Sequence, residues 1–304
     1  MRHYLANMLD QLKMICFLVL VIVCSGAVFS QASPKTPPQR IVSLNLCTDQ
    51  LLMMLVEPSR IAAVTHLARQ PTLSPLAARA AKLPINHGKA EEVFLLNPDL
   101  VLVGTYTAQT TVNLLRRLQR HIVTIAPANS FADIFRNIEI IGNAVGEQVK
   151  AEKMITDLKA KLEQLDSRTN APRDQSSRPL AALYFANGYS SGRNTLADEV
   201  VKKSGFRTLG EKLGFSGTRK ISLEALILAR PDVLITEQKS YDGDAMAYEI
   251  FGHPALHNLA NRTKSISLRT ALTICGTPET IKAVEMLQKY SRLIIGEHDF
   301  KGIE

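Results

Sequence analysis

The chain has 304 residues, enough for two ordinary domains, and 46% of them are hydrophobic while 21% are charged. This balance is typical of a folded globular protein and excludes a disordered one. The formal net charge is +8, but the lysines and arginines are scattered, with no basic run, zinc-finger spacing or RNA-binding aromatic motif. The charge therefore indicates a solvated basic surface, and no nucleic-acid partner is expected.

The first 32 residues have the pattern of a secretory signal peptide. Positive residues precede an apolar run at 14–23, and the small residues of Ser30-Gln31-Ala32 suit cleavage after Ala32. The apolar run is shorter than the roughly 20 residues that span a bilayer, which disfavours an uncleaved anchor. Lipidation at Cys24 is an alternative, although Val23 is a poor fit to the small residue that such sites need. We expect an exported protein.

Cleavage would leave two cysteines, Cys47 and Cys275. Export leads to an oxidising compartment, where two remaining thiols are often paired. We predict a disulfide between Cys47 and Cys275. Because these residues lie in opposite halves of the chain, the bond would limit how far the two halves can move apart. Two separate thiols, or one thiolate in contact with a metal-bearing ligand, are the alternatives.

Short apolar runs alternate with helical patterns along nearly the whole chain. The runs that predict strands are 41–44, 61–65, 100–104, 122–125, 180–185, 233–236 and 265–268. The helical patterns between them include 48–56, 113–119 and 133–145. This alternation predicts an α/β fold, with parallel sheets covered by helices on both faces.

A long helical stretch at 147–165 divides the chain into two halves. It lacks glycine and proline and would extend about 30 Å. Its predicted apolar stripe consists of Val149, Met154, Ile155, Leu158, Leu162 and Leu165. A polar segment with two prolines follows at 167–179. We predict an N-terminal α/β lobe at 33–145, an interlobe helix at 146–168 and a C-terminal α/β lobe at 169–304.

The two halves share a motif. Glu91 stands seven positions before Pro98-Asp99, and Glu224 stands seven positions before Pro231-Asp232. In both copies an apolar helical turn lies between the glutamate and the proline, and a hydrophobic strand follows. Two copies, one in each half, predict related lobes.

These features carry a family resemblance. They are Arg40-Ile41-Val42-Ser43-Leu44, the Glu-led helix ending in Asn97-Pro98-Asp99-Leu100-Val101-Leu102, the Ser222-Leu223-Glu224 helix ending in Pro231-Asp232, and Cys275-Gly276-Thr277-Pro278. Over residues 40–295 the chain resembles the periplasmic binding proteins for cobalamin, haem and ferric siderophores. The sequence departs from several relatives, which use a cleft tryptophan, because it has no tryptophan.

The resemblance implies two doubly wound parallel-sheet lobes joined by one rigid helix. It implies a large chelate-type ligand, and a partner that is the permease dimer of an ABC importer at the inner membrane. In that family one surface glutamate per lobe meets arginines on the two permease subunits, and Glu91 and Glu224 match this pattern. A helix-start role for both residues is the alternative, and Glu92 is the competing position beside Glu91. The protein is expected to be a monomer without a cofactor or a resident metal.

The ligand is expected at loops that follow strands, because open parallel sheets bind ligands outside the carboxyl ends of their strands. The candidate residues are Asn45, His66, Arg69, Tyr106, Tyr189, Arg193 and Arg269. Tyr106 and Tyr189, one from each half, are expected to face the same cleft. A structural or solvent-facing role is the alternative for His66, a surface role for each arginine, and an ordinary half-buried loop position for Tyr106 and Tyr189.

Enzyme function is not expected. The sequence has no nucleophile elbow, phosphate-cradling glycine loop, HExxH helix or Cys/His cluster, and no catalytic residue is proposed. An exported α/β-hydrolase-like enzyme is one rival interpretation. A haem or metal-chelate scavenger that acts without a transporter is the other.

Overall fold

The computed structural model of the chain describes residues 36–169, 174–237 and 246–301. The predicted signal peptide with its cleavage site at Ala32 and the alternative lipidation site Cys24 lie outside the described residues. No helix within the described ranges is both long and apolar enough to cross a membrane.

The first lobe is built on five parallel strands. The strands are β1 (Ile41–Ser43), β2 (Ile61–Thr65), β3 (Ile85–Asn86), β4 (Leu100–Gly104) and β5 (Ile122–Ile125). They pair in the order β3-β2-β1-β4-β5. The helices between and after them are α1 (Leu46–Leu55), α2 (Ala77–Ala80), α3 (Ala90–Leu95), α4 (Gln109–Arg117) and α5 (Phe131–Val145).

A single long helix, α6 (Gln148–Arg168), leads into the second lobe. The strands of that lobe are β6 (Leu180–Leu183), β7 (Tyr189–Ser191), β8 (Arg207–Thr208), β9 (Thr218–Lys220), β10 (Val233–Glu237) and β11 (Lys264–Leu268). A parallel sheet has the order β11-β10-β6-β8, and β7 pairs antiparallel with β9. The helices are α7 (Leu196–Lys203), α8 (Leu209–Lys212), α9 (Leu223–Ala229), α10 (Pro254–Ala260) and α11 (Ile281–Lys301).

The predicted fold class, an α/β protein with parallel sheets in two lobes, is confirmed. Each predicted strand is present within one or two residues of its expected ends. The apolar pattern of the sequence does not predict β3, β7, β8 and β9, which have only two or three residues and therefore show no hydrophobic periodicity.

The apolar interior is continuous from one sheet to the other. One cluster of buried side chains includes Ile41 and Leu102 from the first sheet, Leu158 and Leu162 from α6, and Ile235 from the second sheet. Separate clusters cover the opposite face of each sheet. The helix α6 is thus packed into a shared core and is not a free linker between the lobes.

The predicted apolar stripe of α6 is wrong at one position. Leu158, Leu162 and Leu165 are buried, as is Ala151, but Val149 is 81% exposed. At about 100° per residue, Val149 lies roughly 180° around the helix from Leu158, on the opposite face.

The duplicated motif forms the same structure in both lobes, at residues 91–99 and 224–232, which we call the lobe corners. The residue directly before the proline has a positive φ in both corners: Asn97, two residues after the end of α3, has φ 43°, and Arg230, directly after α9, has φ 48°. Both residues therefore have a left-handed backbone that stops the helix and turns the chain toward the strand.

The aspartate at the end of each corner ties it to the first strand of its lobe. The Asp99 carboxylate accepts a hydrogen bond from the Arg40 N–H at 3.0 Å, and the Asp232 carboxylate accepts one from the Leu180 N–H at 2.7 Å. In return, the Asp99 N–H donates to the Arg40 carbonyl at 3.1 Å and the Asp232 N–H to the Leu180 carbonyl at 2.8 Å. This shared geometry supports the prediction of related lobes.

Candidate functional site

The carboxyl edge of the first sheet presents Asn45, His66, His87 and Tyr106, each just after a strand. Asn45 caps α1, because its Oδ1 accepts hydrogen bonds from the N–H of Cys47 at 2.9 Å and of Thr48 at 3.4 Å. This cap fixes the start of α1 and with it the position of the Cys47 side chain at the carboxyl edge of the sheet.

Below this edge lies a buried carboxylate, Asp49, in the first turn of α1. Its oxygens accept hydrogen bonds from the Thr65 N–H at 3.1 Å and from the Thr65 hydroxyl at 2.5 Å. Burial raises the pKa of Asp49 to about 7, against the lowering effect of hydrogen bonds from Ser43 and Thr65. The sequence pattern indicates only a helix-start residue at Asp49. The structure adds that Asp49 holds the end of β2, directly before His66.

His66 and His87 form a stacked pair at the ends of β2 and β3, with ring centroids 5.1 Å apart and planes inclined by 25°. Glu92 approaches His87 from the next helix: its carboxylate accepts the His87 backbone N–H at 2.7 Å and lies 3.3 Å from Nδ1 of the ring. These contacts hold the pKa of Glu92 below its usual range. A carboxylate on Nδ1 favours the tautomer in which Nε2 carries a free lone pair, the arrangement of a metal-binding imidazole.

A cavity of about 260 Å³ lies where the two lobes meet. Asn45 and Tyr106 line it from the first lobe, and Ile274 and Gly276 line it from the second. Tyr106 is 86% exposed, so most of its ring is available to a ligand. Because binding sites for drug-sized molecules measure roughly 300–1,000 Å³, this cavity can take only part of a large chelate.

Three contacts join the lobes beside this cavity. Cys47 and Cys275 form the predicted disulfide, with Cα atoms 5.1 Å apart. Gly276 packs so closely that a Cβ there would lie 2.3 Å from the Cβ of Ala128. Glu199 of α7 accepts the Phe131 N–H at the start of α5 at 2.8 Å. Burial raises the pKa of the Glu199 carboxyl.

The second lobe places its candidates on exposed loops and edges. Tyr189 lies in β7 and is 44% exposed. Arg193 is exposed and is held by backbone hydrogen bonds to Phe215 and Gly217. Arg269 is exposed just after β11. Their roles in ligand binding, and a cleft shared by Tyr106 and Tyr189, stay predictions.

Arg69 has a different environment from the other candidates. Its guanidinium donates to the carbonyls of Ala80 at 3.4 Å and Leu83 at 2.5 Å. These bonds fasten the end of α2 to the turn that follows His66. Arg69 therefore supports the loop that carries His66, and its contact with the ligand stays a prediction.

Across the three described ranges, no group of three or more His, Cys, Asp or Glu side chains is placed to hold a metal ion by itself. His66 and His87 could supply one or two ligands to a metal that arrives inside a chelate. Sequence reasoning missed His87, because the strand before it has only two residues and gives no pattern.

The lobe corners carry the two predicted docking glutamates. Glu91 is exposed, and we find no hydrogen bond or ion pair to its carboxylate within the described part of the chain. The carboxylate of the neighbouring Glu92 accepts a hydrogen bond from His87, which favours Glu91 as the exposed acid of the first corner. Glu224 is also exposed, and its own N–H and the Ser222 hydroxyl hold its pKa below the usual range. Glu224 is therefore an ionised carboxylate at neutral pH.

Comparison with known proteins identifies related chains. The model of a family described as periplasmic binding protein matches residues 41–264. An ABC transporter substrate-binding lipoprotein of Bacillus subtilis is 22% identical over 66% of this chain. A cobalamin-binding protein of Halobacterium salinarum is 24% identical over 69% of it. The chain spans 64% and 57% of the lengths of these two relatives.

Among solved structures, the apo form of the periplasmic heme-binding protein RhuT from Roseiflexus sp. RS-1 has a TM-score of 0.68. The match covers 84% of this chain and 97% of that one, at 22% identity. At this level of identity the likeness shows a shared fold.

Proposed function

Because the chain belongs to the periplasmic binding protein family, whose members are solute-binding proteins and not enzymes, we propose that it carries a metal chelate to an ABC importer. In this proposal the protein is exported, acts as a monomer in the periplasm and docks on the permease dimer at the inner membrane. The observation that carries the proposal is the duplicated lobe corner, with one exposed glutamate in each lobe.

Duplication is informative because a partner with two-fold symmetry presents the same site twice. Glu91 and Glu224 occupy equivalent positions on two lobes that share a core and a disulfide, which limits changes in the distance between them. An exposed ion pair alone contributes only about 0–1 kcal/mol. Two such pairs at a fixed separation would instead set the orientation of docking and speed the encounter.

The test is the double charge reversal Glu91→Arg, Glu224→Arg. We expect unchanged ligand affinity, loss of uptake, and loss of the stimulation of ATPase activity in the cognate importer reconstituted in liposomes. The matched control is Glu139→Arg, Glu163→Arg, which makes the same charge change at exposed positions of α5 and α6. Normal uptake by the double corner variant would refute the docking role.

The ligand class is proposed from the His66–His87 pair. An imidazole Nε2 lone pair at the carboxyl edge of the first sheet suits a chelate whose metal keeps an open axial position, as haem iron and the cobalt of a corrinoid do. A ferric siderophore that saturates its metal would gain nothing from this pair. The names of the relatives include haem-binding and cobalamin-binding proteins and also a Fe3+-hydroxamate transport protein, so the proposed ligand class rests on the histidine pair.

Absorption spectroscopy tests the ligand class, because coordination of an imidazole changes the spectrum of the metal centre. Ferric haem and aquacobalamin should each be titrated into wild type and into the His66→Ala, His87→Ala variant. We expect a shift of the macrocycle absorption bands in wild type that the variant loses, while His257→Ala, at an exposed histidine on α10, keeps it. Identical spectra in wild type and the double variant would exclude coordination by this pair.

The same experiments distinguish delivery to an importer from the alternative, a scavenger that acts without a transporter. A scavenger would bind the chelate with the expected spectrum, yet it would not stimulate an importer. Loss of uptake in the glutamate variant but not in its control would favour transport.

A further inference from the structure

We propose that an exposed leucine in each lobe corner, Leu95 in the first and Leu228 in the second, enters an apolar site on the importer. Each leucine would bind beside the docking glutamate of its own lobe. This inference rests on the proposed function and adds an apolar contact to the charged one.

The two leucines have matching positions and matching exposure. Leu95 follows Glu91 by four residues and is 82% exposed; Leu228 follows Glu224 by four residues and is 80% exposed. Residues four apart on a helix lie on the same face, one turn from each other. Each corner therefore presents a carboxylate and an isobutyl group side by side.

The fold itself gives neither leucine a role. Two positions before each leucine, Val93 and Leu226 are fully buried and anchor the corner. Neither Leu95 nor Leu228 belongs to the apolar clusters formed by the described residues. A single exposed leucine is common on protein surfaces. The same exposure at the same position in both copies of a duplicated corner is what points to a shared contact.

The surroundings of each leucine are also partly apolar. In the first corner Phe94 is 45% exposed, with the Arg120 guanidinium 5.2 Å from its ring centroid. In the second corner Ile227 is 36% exposed, and a groove of about 630 Å³ runs beside Leu228. Both corners therefore offer a small apolar surface next to an acid.

The charged groups of the two lobe corners indicate which kind of partner binds there. A second copy of this chain would place glutamate against glutamate in a symmetric contact, which is unfavourable. An anionic membrane surface would meet Arg120 and Arg230 as well as the two carboxylates, so sedimentation with protein-free liposomes decides whether lipid is the occupant. A membrane protein of two-fold symmetry, with a basic residue beside an apolar pocket in each subunit, complements both features of both corners.

The test measures the affinity of the ligand-loaded protein for its cognate importer in liposomes. The variants are Leu95→Ser, Leu228→Ser and the double, with Val149→Ser as the control for the loss of an equally exposed apolar side chain on α6. We expect each single variant to bind about tenfold more weakly and the double about a hundredfold, as for anchor residues at interface centres. Ligand affinity and melting temperature should stay at wild-type values, because the leucines lie outside the core.

Several outcomes would overturn the inference. If the leucine double variant binds as tightly as Val149→Ser while the glutamate reversal fails to bind, the leucines play no part and the proposed function stands. If wild type itself neither binds nor stimulates the importer, both proposals fall.

The other possible occupants give their own signals. A leucine-dependent dimer in analytical ultracentrifugation would identify a second copy as the occupant. Leucine-dependent sedimentation with protein-free anionic liposomes would identify lipid. Either result would overturn the inference.

Discussion

Removing the Cys47–Cys275 disulfide should destabilise the whole protein, and the size of the effect follows from the length of the loop that it closes. The two cysteines are 228 residues apart in the sequence. In the chain-entropy model, a loop of that length lowers the entropy of the unfolded chain by about 18 cal/mol/K, or about 5 kcal/mol at 25 °C. We expect the Cys47→Ala, Cys275→Ala variant to lose up to this amount in the free energy of unfolding.

Urea denaturation followed by circular dichroism measures this loss, with and without reductant. Reductant should lower the stability of wild type to that of the double variant and should leave the variant unchanged. Thiol counting on unfolded, unreduced protein should find no free thiol at Cys47 or Cys275. Equal stability of wild type and variant without reductant, or two titratable thiols, would refute the reasoning.

Two further predictions concern buried groups, one in each lobe. Because the pKa of Asp49 is about 7 in the folded protein against an ordinary 3.8, its contribution to stability is full below pH 3.8 and is lost as the pH rises through 7. About 3 pH units at 1.36 kcal/mol each correspond to about 4 kcal/mol of unfolding free energy, which wild type should lose between pH 4 and 7. Asp49→Asn should lack this loss. Parallel curves of unfolding free energy against pH for the two proteins would contradict the prediction. Gly276→Val should cost about 1–3 kcal/mol by overpacking, because its side chain would collide with Ala128 and Ile134. Gly252→Val, where a Cβ meets nothing within 4 Å, should cost less in the same thermal denaturation experiment, and equal costs would count against the packing argument.

The sequence predicted those features that a local pattern encodes. The buried strand β4 is a continuous run of apolar residues, and the lobe corners repeat the same spacing from glutamate to proline, so both could be recognised. The pairing of Cys47 with Cys275 could be predicted because export and a count of two thiols leave few alternatives.

Features that depend on contacts between distant residues could not be predicted in this way. His87 follows a two-residue strand, and its stacking on His66 arises only when β2 and β3 pair. The sequence around Asp49 indicates only a helix-start acid, because its contact with Thr65 forms only in the folded protein. Val149 is apolar, as the predicted stripe of α6 requires, but its angular position around the helix places it on the exposed face.

The apolar cluster that crosses from one sheet through α6 to the other has a consequence for how the protein melts. Neither lobe can unfold and leave the interior of the other intact, since the two interiors share side chains. We therefore expect one cooperative thermal transition and not two. A molecule that binds the folded protein at any point would then raise that single melting temperature. A thermal-shift screen can consequently rank corrinoids, haems and siderophores, coloured or colourless, whichever lobe each one touches.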